Sequence, residues 1–321
     1  MSLVPALSLV LLSAASHAAP ILTQGADGYT WSTITHAGNR APNASEHWWD
    51  PSFSAGSVGY EYRMATTEVT GSQWYEFVQA YAPYIGANYF DSGFSGPATF
   101  VGFNGQGVPR YVLNPTLQNQ GISISWRYAA RYVNWLHNDR ALTQNAFENG
   151  AYDTSTFTRN PDGTFNDQLA HNPDARYWIP TRDEWVKAAH YDPNRYGEGQ
   201  EGYWLYPAGQ NEPLTPGPPG APGAQTSAGL DIANFGIPDV GAYYDTTSPW
   251  GLLDVSGSAS EWLETAGVDQ NGHLFARVFK QSDVGRPLPD FYDMLDVHSS
   301  TVPIVGLAGF RLAAPVPAPS S

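Results

Sequence analysis

The chain has 321 residues and a formal charge of −15, yet only 14% of its residues are charged, and it carries 11 tryptophans and 19 tyrosines but no cysteine. Its length allows one large or two ordinary domains, and its charge excludes nucleic acid and anionic membrane faces as partners, because too few cations exist to neutralise phosphates. Without thiols, thiolate catalysis, thiol redox and cysteine-ligated metals are excluded too, and an exported chain of this size needs no disulfide.

At the start, residues 3–15 are almost all small or apolar, and Ser16-His17-Ala18-Ala19-Pro20 follows. An apolar run ending in small residues predicts a secretory signal over residues 1–19, cut after Ala18 or Ala19. A buried N-terminal strand or helix is the other reading. The signal implies a secreted, periplasmic or cell-surface protein, and no other stretch is long and apolar enough to span a bilayer. Asn43-Ala-Ser45 is a glycosylation sequon if the source glycosylates, and loop otherwise.

Tyr60-Glu-Tyr-Arg-Met64 alternates and leads into Thr66-Thr-Glu-Val69, which predicts a strand. Next, Thr70-Gly-Ser-Gln73 is a capping box, and Trp74, Phe77, Val78 and Tyr81 follow on one helical face. A second helix is predicted from Ser125, with Trp126, Ala129, Ala130, Val133 and Leu136 on one face. A third opens at the capping box Thr181-Arg-Asp-Glu184 and continues through Trp185, Ala188 and Ala189. On it, Arg182, Asp183, Glu184 and Lys187 read as a solvated face with i,i+3 and i,i+4 pairs. Residues 213–223, Pro-Leu-Thr-Pro-Gly-Pro-Pro-Gly-Ala-Pro-Gly, can form neither helix nor inner strand and read as an exposed loop insertion. Phe275-Ala-Arg-Val-Phe279 alternates and predicts a late strand.

One stretch raises a chemical question. Gly251-Leu-Leu-Asp-Val-Ser-Gly-Ser-Ala-Ser-Glu-Trp262 puts Asp254 and Glu261 at the two ends of a short Gly/Ser turn. Carbonyls between two carboxylates are the mixture from which a hard cation such as calcium draws about six to eight oxygens. The same residues also read as a solvated turn with two unrelated acids, and the spacing alone leaves both readings open.

Taken in order, six segments resemble the sulfatase-modifying factor family, the formylglycine-generating-enzyme fold. They are TTEVTGSQWYEFVQA from Thr66, ISISWRYAARYVNWL from Ile122, YWIPTRDEWVKAAHYD from Tyr177, YPAG from Tyr206, SPWGLLDVSGSASEWLET from Ser248 and GFRLA from Gly309. The resemblance implies a C-type-lectin-like α+β domain with few helices, small twisted sheets and much irregular loop. It sets a domain over residues 60–313, an N-terminal extension over 20–59 and a Pro-rich tail over 314–321. That tail is similar to the approach to some C-terminal surface-sorting signals, though no membrane segment or basic end follows.

In the family, the segment around Asp254 holds a structural calcium ion. Carried over position by position, the resemblance implies that Asp254, the carbonyls of Gly257 and Ala259, and Glu261 are the ligands. A second family calcium site would begin at Asn234 and Phe235, but the loop that supplies its other ligands is shortened before Val240. Copper is not expected, because the catalytic relatives bind it through two cysteines and this chain has none. The family's Arg-Gly-Gly-Ser-Trp segment is replaced here by Arg277-Val-Phe-Lys-Gln-Ser-Asp283.

Five of the eight histidines, His137, His171, His190, His273 and His298, are scattered without ligand spacing and read as structural or surface residues, with His137 and His190 near helix C-termini. Trp48, Trp49, Tyr89, Phe90, Tyr203, Trp204 and Tyr206 are expected in loops, where rings cover apolar area or line a cleft for a peptide or glycan. The expectation is an exported, calcium-stabilised binding or surface protein of a bacterial envelope. The alternative is an oxidoreductase of the formylglycine-generating class, or a metal-dependent variant without thiol ligands.

Overall fold

The computed structural model describes residues 19–47, 53–285 and 294–318. The expected signal as far as Ala18, the aromatic pair Trp48 and Trp49, Arg286 and the side chain of His298 lie outside the described residues.

Strands β1 (Leu22–Gln24), β2 (Thr30–Ile34) and β3 (Tyr62–Ala65) come first in the chain. In β3 the alternation seen in the sequence is literal: Tyr62 and Met64 are buried, while Arg63 between them is half-buried. With the last strand they form an antiparallel sheet in the order β1-β2-β3-β11, where β11 is Ala313–Pro315. Trp31 registers with Ala65 and Ala313 with Met64, so residues ahead of position 60 contribute two strands to the domain's first sheet.

Helix α1 (Gly71–Tyr81) starts where the capping box placed it. Thr70 Oγ1 accepts from the Gln73 amide at 3.3 Å, and Gln73 Oε1 accepts from the Thr70 amide at 2.9 Å. A short helix α2 (Ser92–Ser95) leads into the hairpin β4 (Ala98–Phe103) and β5 (Pro109–Leu113). Helix α3 (Trp126–His137) follows Ser125, whose hydroxyl makes no capping bond. Helices α1 and α3 meet through Trp74, which stacks on Tyr132 at 5.5 Å between ring centroids, and within α1 Phe77 stacks on Tyr81 at 5.5 Å. Burying a ring such as Phe77 contributes about 1.5–3 kcal/mol.

After α4 (Gln144–Glu148) comes α5 (Arg182–His190), again opened by its capping box, with Thr181 Oγ1 accepting from the Glu184 amide at 3.1 Å. The early tryptophans of all three predicted helices are buried, and each indole N–H reaches across the fold. Trp74 donates to Phe94 O, Trp126 to Leu263 O and Trp185 to Glu261 Oε2.

The solvated face expected on α5 is half wrong. Glu184 and Lys187 are fully buried. Glu184 accepts from Trp178 Nε1 and Tyr60 Oη, while Lys187 Nζ donates to the His36 carbonyl at 2.9 Å. Two neighbouring strands and loops cover this face, which i,i+3 spacing alone does not reveal.

The chain continues through β6 (Tyr191–Asp192), β7 (Gly202–Tyr203) and α6 (Ile232–Phe235) to β8 (Glu261–Val268), β9 (Leu274–Lys280) and β10 (Ser299–Thr301). These last three form a sheet in the order β10-β9-β8. Residues 213–223 are an irregular, largely exposed loop, pinned by buried Leu214 against Tyr206 and Ala228. One continuous core runs from Tyr29 to Ala314. Short helices, small antiparallel sheets and long loops around one core make an α+β architecture.

Candidate functional site

The stretch from Gly251 to Glu261 folds as a chain of tight turns ahead of β8. Asp254 and Ser258 are non-glycine residues with φ of 56° and 55°, and Gly257, at 92°, occupies a position where a Cβ would stand 2.7 Å from Ser227 Oγ. Only glycine fits there without displacing Ser227.

Asp254 and Glu261 are both buried, so the turn is not a solvated one. Glu261 is gripped by Arg311 from β11's approach: Arg311 Nε donates to Oε2 at 2.7 Å and Nη2 to Oε1 at 2.6 Å. Trp185 Nε1 adds a third bond, to Oε2 at 3.1 Å. Burial pushes the Glu261 carboxyl upward, but Arg311 outweighs it and holds the group below its ordinary range. Arg311 spends its remaining donors on the carbonyls of Ala65, Thr66 and Leu253.

Asp254 is differently placed. Its Oδ2 accepts from the Gly241 amide at 2.5 Å, and its Oδ1 is buried with no partner among the described residues. Burial raises its pKa above the ordinary carboxylate value. The Gly257 carbonyl accepts from Lys280 Nζ at 3.0 Å, and Lys280 is itself fully buried. Ala259 is buried beside Gly121, where an added Cβ would stand 3.2 Å from the Ala259 methyl and 2.6 Å from Glu68 Oε2.

Glu68 is the residue that sequence reading missed. It sits in the Thr-Glu-Val step before α1, fully buried, with Oε2 accepting from Ser258 Oγ at 2.6 Å and Oε1 unpartnered. Desolvation first, then the nearby Glu261 charge, drive its pKa well above the ordinary value, against the pull of Lys280 and Arg311. Three buried carboxyls thus face two buried cations, which leaves one negative charge for a cation or a proton to offset. The unpartnered Asp254 Oδ1 fits a cation at that oxygen, whereas Glu261 and the Gly257 carbonyl are already engaged by Arg311 and Lys280. Among the described residues no three His, Asp or Glu side chains are grouped to hold a metal unaided, so backbone oxygens would have to complete any such shell.

Asn234 lies apart from this cluster in the exposed helix α6, its amide bonded to Asp231 Oδ2 at 2.5 Å.

A sequence match to the sulfatase-modifying factor enzyme 1-like domain covers residues 33–313. The chain belongs to that family. The match begins within β2, consistent with that strand's place in the first sheet. Two solved structures share the fold of this sulfatase-modifying-factor-like chain. CarF is 19% identical with a TM-score of 0.50, covering 91% of this chain and 100% of its own. PvdO from Pseudomonas aeruginosa is 14% identical with a TM-score of 0.50, covering 93% of this chain and 100% of its own. No curated protein matches.

In this family member the end of β9 and the residues that follow it as far as Val284 alternate between buried and half-buried, and Gly285 is exposed. Lys280, Ser282 and Val284 are buried. Ser282 Oγ donates to Asp296 Oδ2, and Ser260 Oγ donates to Asp283 Oδ2 at 2.5 Å. Burial lifts the Asp296 carboxyl to about 7. The histidines divide by environment. His190, read as a structural or surface residue near a helix C-terminus, ends α5 and is buried with Nδ1 against the Trp204 carbonyl, where desolvation drops its pKa to about 3. His171 Nδ1 lies 2.9 Å from Glu264 and its ring stacks on Trp178. Of the loop aromatics, Tyr203 and Tyr206 are core residues, while Phe90 is 70% exposed.

Proposed function

We propose that this sulfatase-modifying-factor-like domain is exported to a bacterial envelope and binds an aromatic peptide segment, with calcium steadying its buried acids. The observation that carries the binding role is a ring cluster in which Phe90 and Phe103 are exposed beside the half-buried Tyr89 and Phe100. Tyr89 lies 4.5 Å from Phe90 and 5.0 Å from both Phe100 and Phe103, and Phe90 lies 4.8 Å from Phe100. Phe90 and Phe103 are 70% and 48% exposed and are joined through Tyr89 and Phe100, and adjoining exposed apolar rings of this kind mark an interaction site. The rings meet at tilts from 39° to 74° and offer no flat platform, which favours interdigitating peptide side chains over a sugar face.

The apolar run and small-residue site at residues 3–20 support export. A thiol oxidase role has no support, since no cysteine exists to hold copper. Calcium is supported by the orphaned Asp254 Oδ1, the one free oxygen among the four ligands that the resemblance implies; Glu261 and the Gly257 carbonyl would have to share their oxygens with Arg311 and Lys280, and the Ala259 carbonyl would complete the set.

Panning a random peptide library on the protein should enrich aromatic sequences whose binding is lost in the Phe90→Ser, Phe103→Ser variant, with melting unchanged. Enrichment of no aromatic peptide, or binding confined to a glycan array, refutes the peptide reading. Multiple-turnover formylglycine formation on a cysteine peptide overturns the non-oxidase reading.

A further inference from the structure

A cleft of about 390 Å³ lies between the first sheet and the C-terminal end of α3, lined by Arg63, Arg140, Arg176, Tyr177, Asp27 and Asp139 among others. Three of the 15 basic residues of a chain with net charge −15 gather here. Each guanidinium is fixed by only part of its fork. Arg63 Nε donates to the Pro315 carbonyl at 3.0 Å, and its guanidinium carbon lies 5.0 Å over the buried Trp31 ring. Arg140 Nη2 donates to the Asp27 carbonyl at 2.9 Å, and the group sits 5.6 Å over Trp135 and 3.5 Å from Glu76. Arg176 Nη1 donates to the His137 carbonyl at 3.0 Å and to Asp139 at 2.8 Å. Among the described residues, both terminal nitrogens of Arg63 and Nη2 of Arg176 have no protein acceptor.

The backbone supports this arrangement at a cost. Asp139 and Arg140 are consecutive non-glycine residues with φ of 53° and 60°. Left-handed residues of this kind cost about 1–3 kcal/mol each and persist where the surroundings over-determine them. Stacking on tryptophan limits the freedom of Arg63 and Arg140 before any ligand arrives.

We propose that this cleft binds a small carboxylic acid. Planar N–H forks match a carboxylate bidentately. The flanking Asp27 and Asp139 carboxylates repel a phosphate dianion more than a carboxylate monoanion. Tyr177, stacked on Trp31 at 6.0 Å, and Leu136 supply an apolar wall for the body of the ligand. The volume falls in the range of small-molecule sites, about 300–1,000 Å³. The site is separate from the ring cluster around Phe90 and does not depend on that assignment.

The test is calorimetric titration of the whole protein with benzoate, galacturonate, oligogalacturonate and inorganic phosphate at matched ionic strength. Benzoate or galacturonate should bind saturably, at least tenfold more tightly than phosphate. Arg176 is half exposed, so Arg176→Gln should leave melting unchanged while weakening the carboxylate at least tenfold, and Arg176→Lys should restore part of the loss. The Phe90→Ser variant should bind the acid as wild type does. Absence of saturable binding, equal binding by Arg176→Gln, parity with phosphate, or binding of the polymer alone would each overturn the proposal.

Discussion

Arg311 and Glu261 form a two-pronged ion pair at 2.7 and 2.6 Å in which neither side chain is exposed to solvent. The two residues stand 50 positions apart, and the pair ties the approach to the last strand of the first sheet to the start of β8. Removing one partner of such a pair leaves a buried charge uncompensated, at a cost of about 3–5 kcal/mol. Arg311→Met should therefore destabilise the protein by about that amount in urea at neutral pH. Adding Glu261→Gln should recover part of the loss, since the stranded charge goes with it. A loss under about 1 kcal/mol would mean the carboxylate finds another counter-charge.

Calcium bound to the native state alone stabilises by RT ln(1 + [L]/Kd), about 2.7 kcal/mol at a hundredfold excess over Kd. Wild-type melting should fall when a chelator is added. Asp254→Asn keeps an oxygen for the Gly241 amide but weakens the cation ligand, so its melting should ignore chelator. Identical wild-type melting in calcium and in chelator would sink the calcium site. Lys280, Arg311 and a proton on Glu68 would then balance the charge unaided.

His190 sets an acid limb. Burial keeps it neutral in the folded protein down to about pH 3, while the unfolded chain takes up the proton near the ordinary histidine value of 6.5. The unfolded state binds more protons between those values, so stability falls as pH drops through that window, by about 5 kcal/mol in total. His190→Asn keeps a donor for the Trp204 carbonyl and cannot titrate, so its stability should decline less steeply below pH 6.5. His171 works in the opposite direction. Burial lowers its pKa, but the hydrogen bond and charge of Glu264 outweigh this and raise it. Its contribution is complete below the ordinary histidine pKa and is lost as pH climbs through the raised one.

Thr70→Ala should cost about 1 kcal/mol, because the Gln73 amide loses its cap, while Thr70→Ser should cost much less. Urea denaturation of the two variants distinguishes the cap from any packing role of the threonine methyl. Equal losses in both would show that packing, not the hydroxyl, is what Thr70 supplies.

These caps mark what was legible in the sequence. Thr70–Gln73 and Thr181–Glu184 are local devices, written within four residues, and both helices begin where the boxes stand. The alternation around Met64 and the period of Trp74, Phe77 and Tyr81 are equally local and equally readable. The charge cluster is not. Glu68, Asp254, Lys280 and Arg311 come from four distant segments, and each taken alone resembles a surface charge. Lys187 and Glu184 misled for the same reason, since helical spacing shows which residues share a face but not what lies against it. Tyr203, expected in a loop, ends the two-residue strand β7 and is fully buried, because Asn39 and Gly56, far earlier in the chain, close over its hydroxyl.

The placement of β11 has a consequence for the order of events during synthesis. β3 waits for a neighbour that is made some 250 residues later, with Ala313 registering against Met64. Until that strand emerges, the sheet has an open edge and Glu261 has no guanidinium. Helices α1 and α3 both lie within the first 137 residues and can pair before that strand is made, whereas the buried acids stay hydrated until Arg311 arrives. The fold is therefore expected to close only once the domain is fully translated, and limited proteolysis should cut a nascent chain stalled before Arg311 more readily than the whole domain.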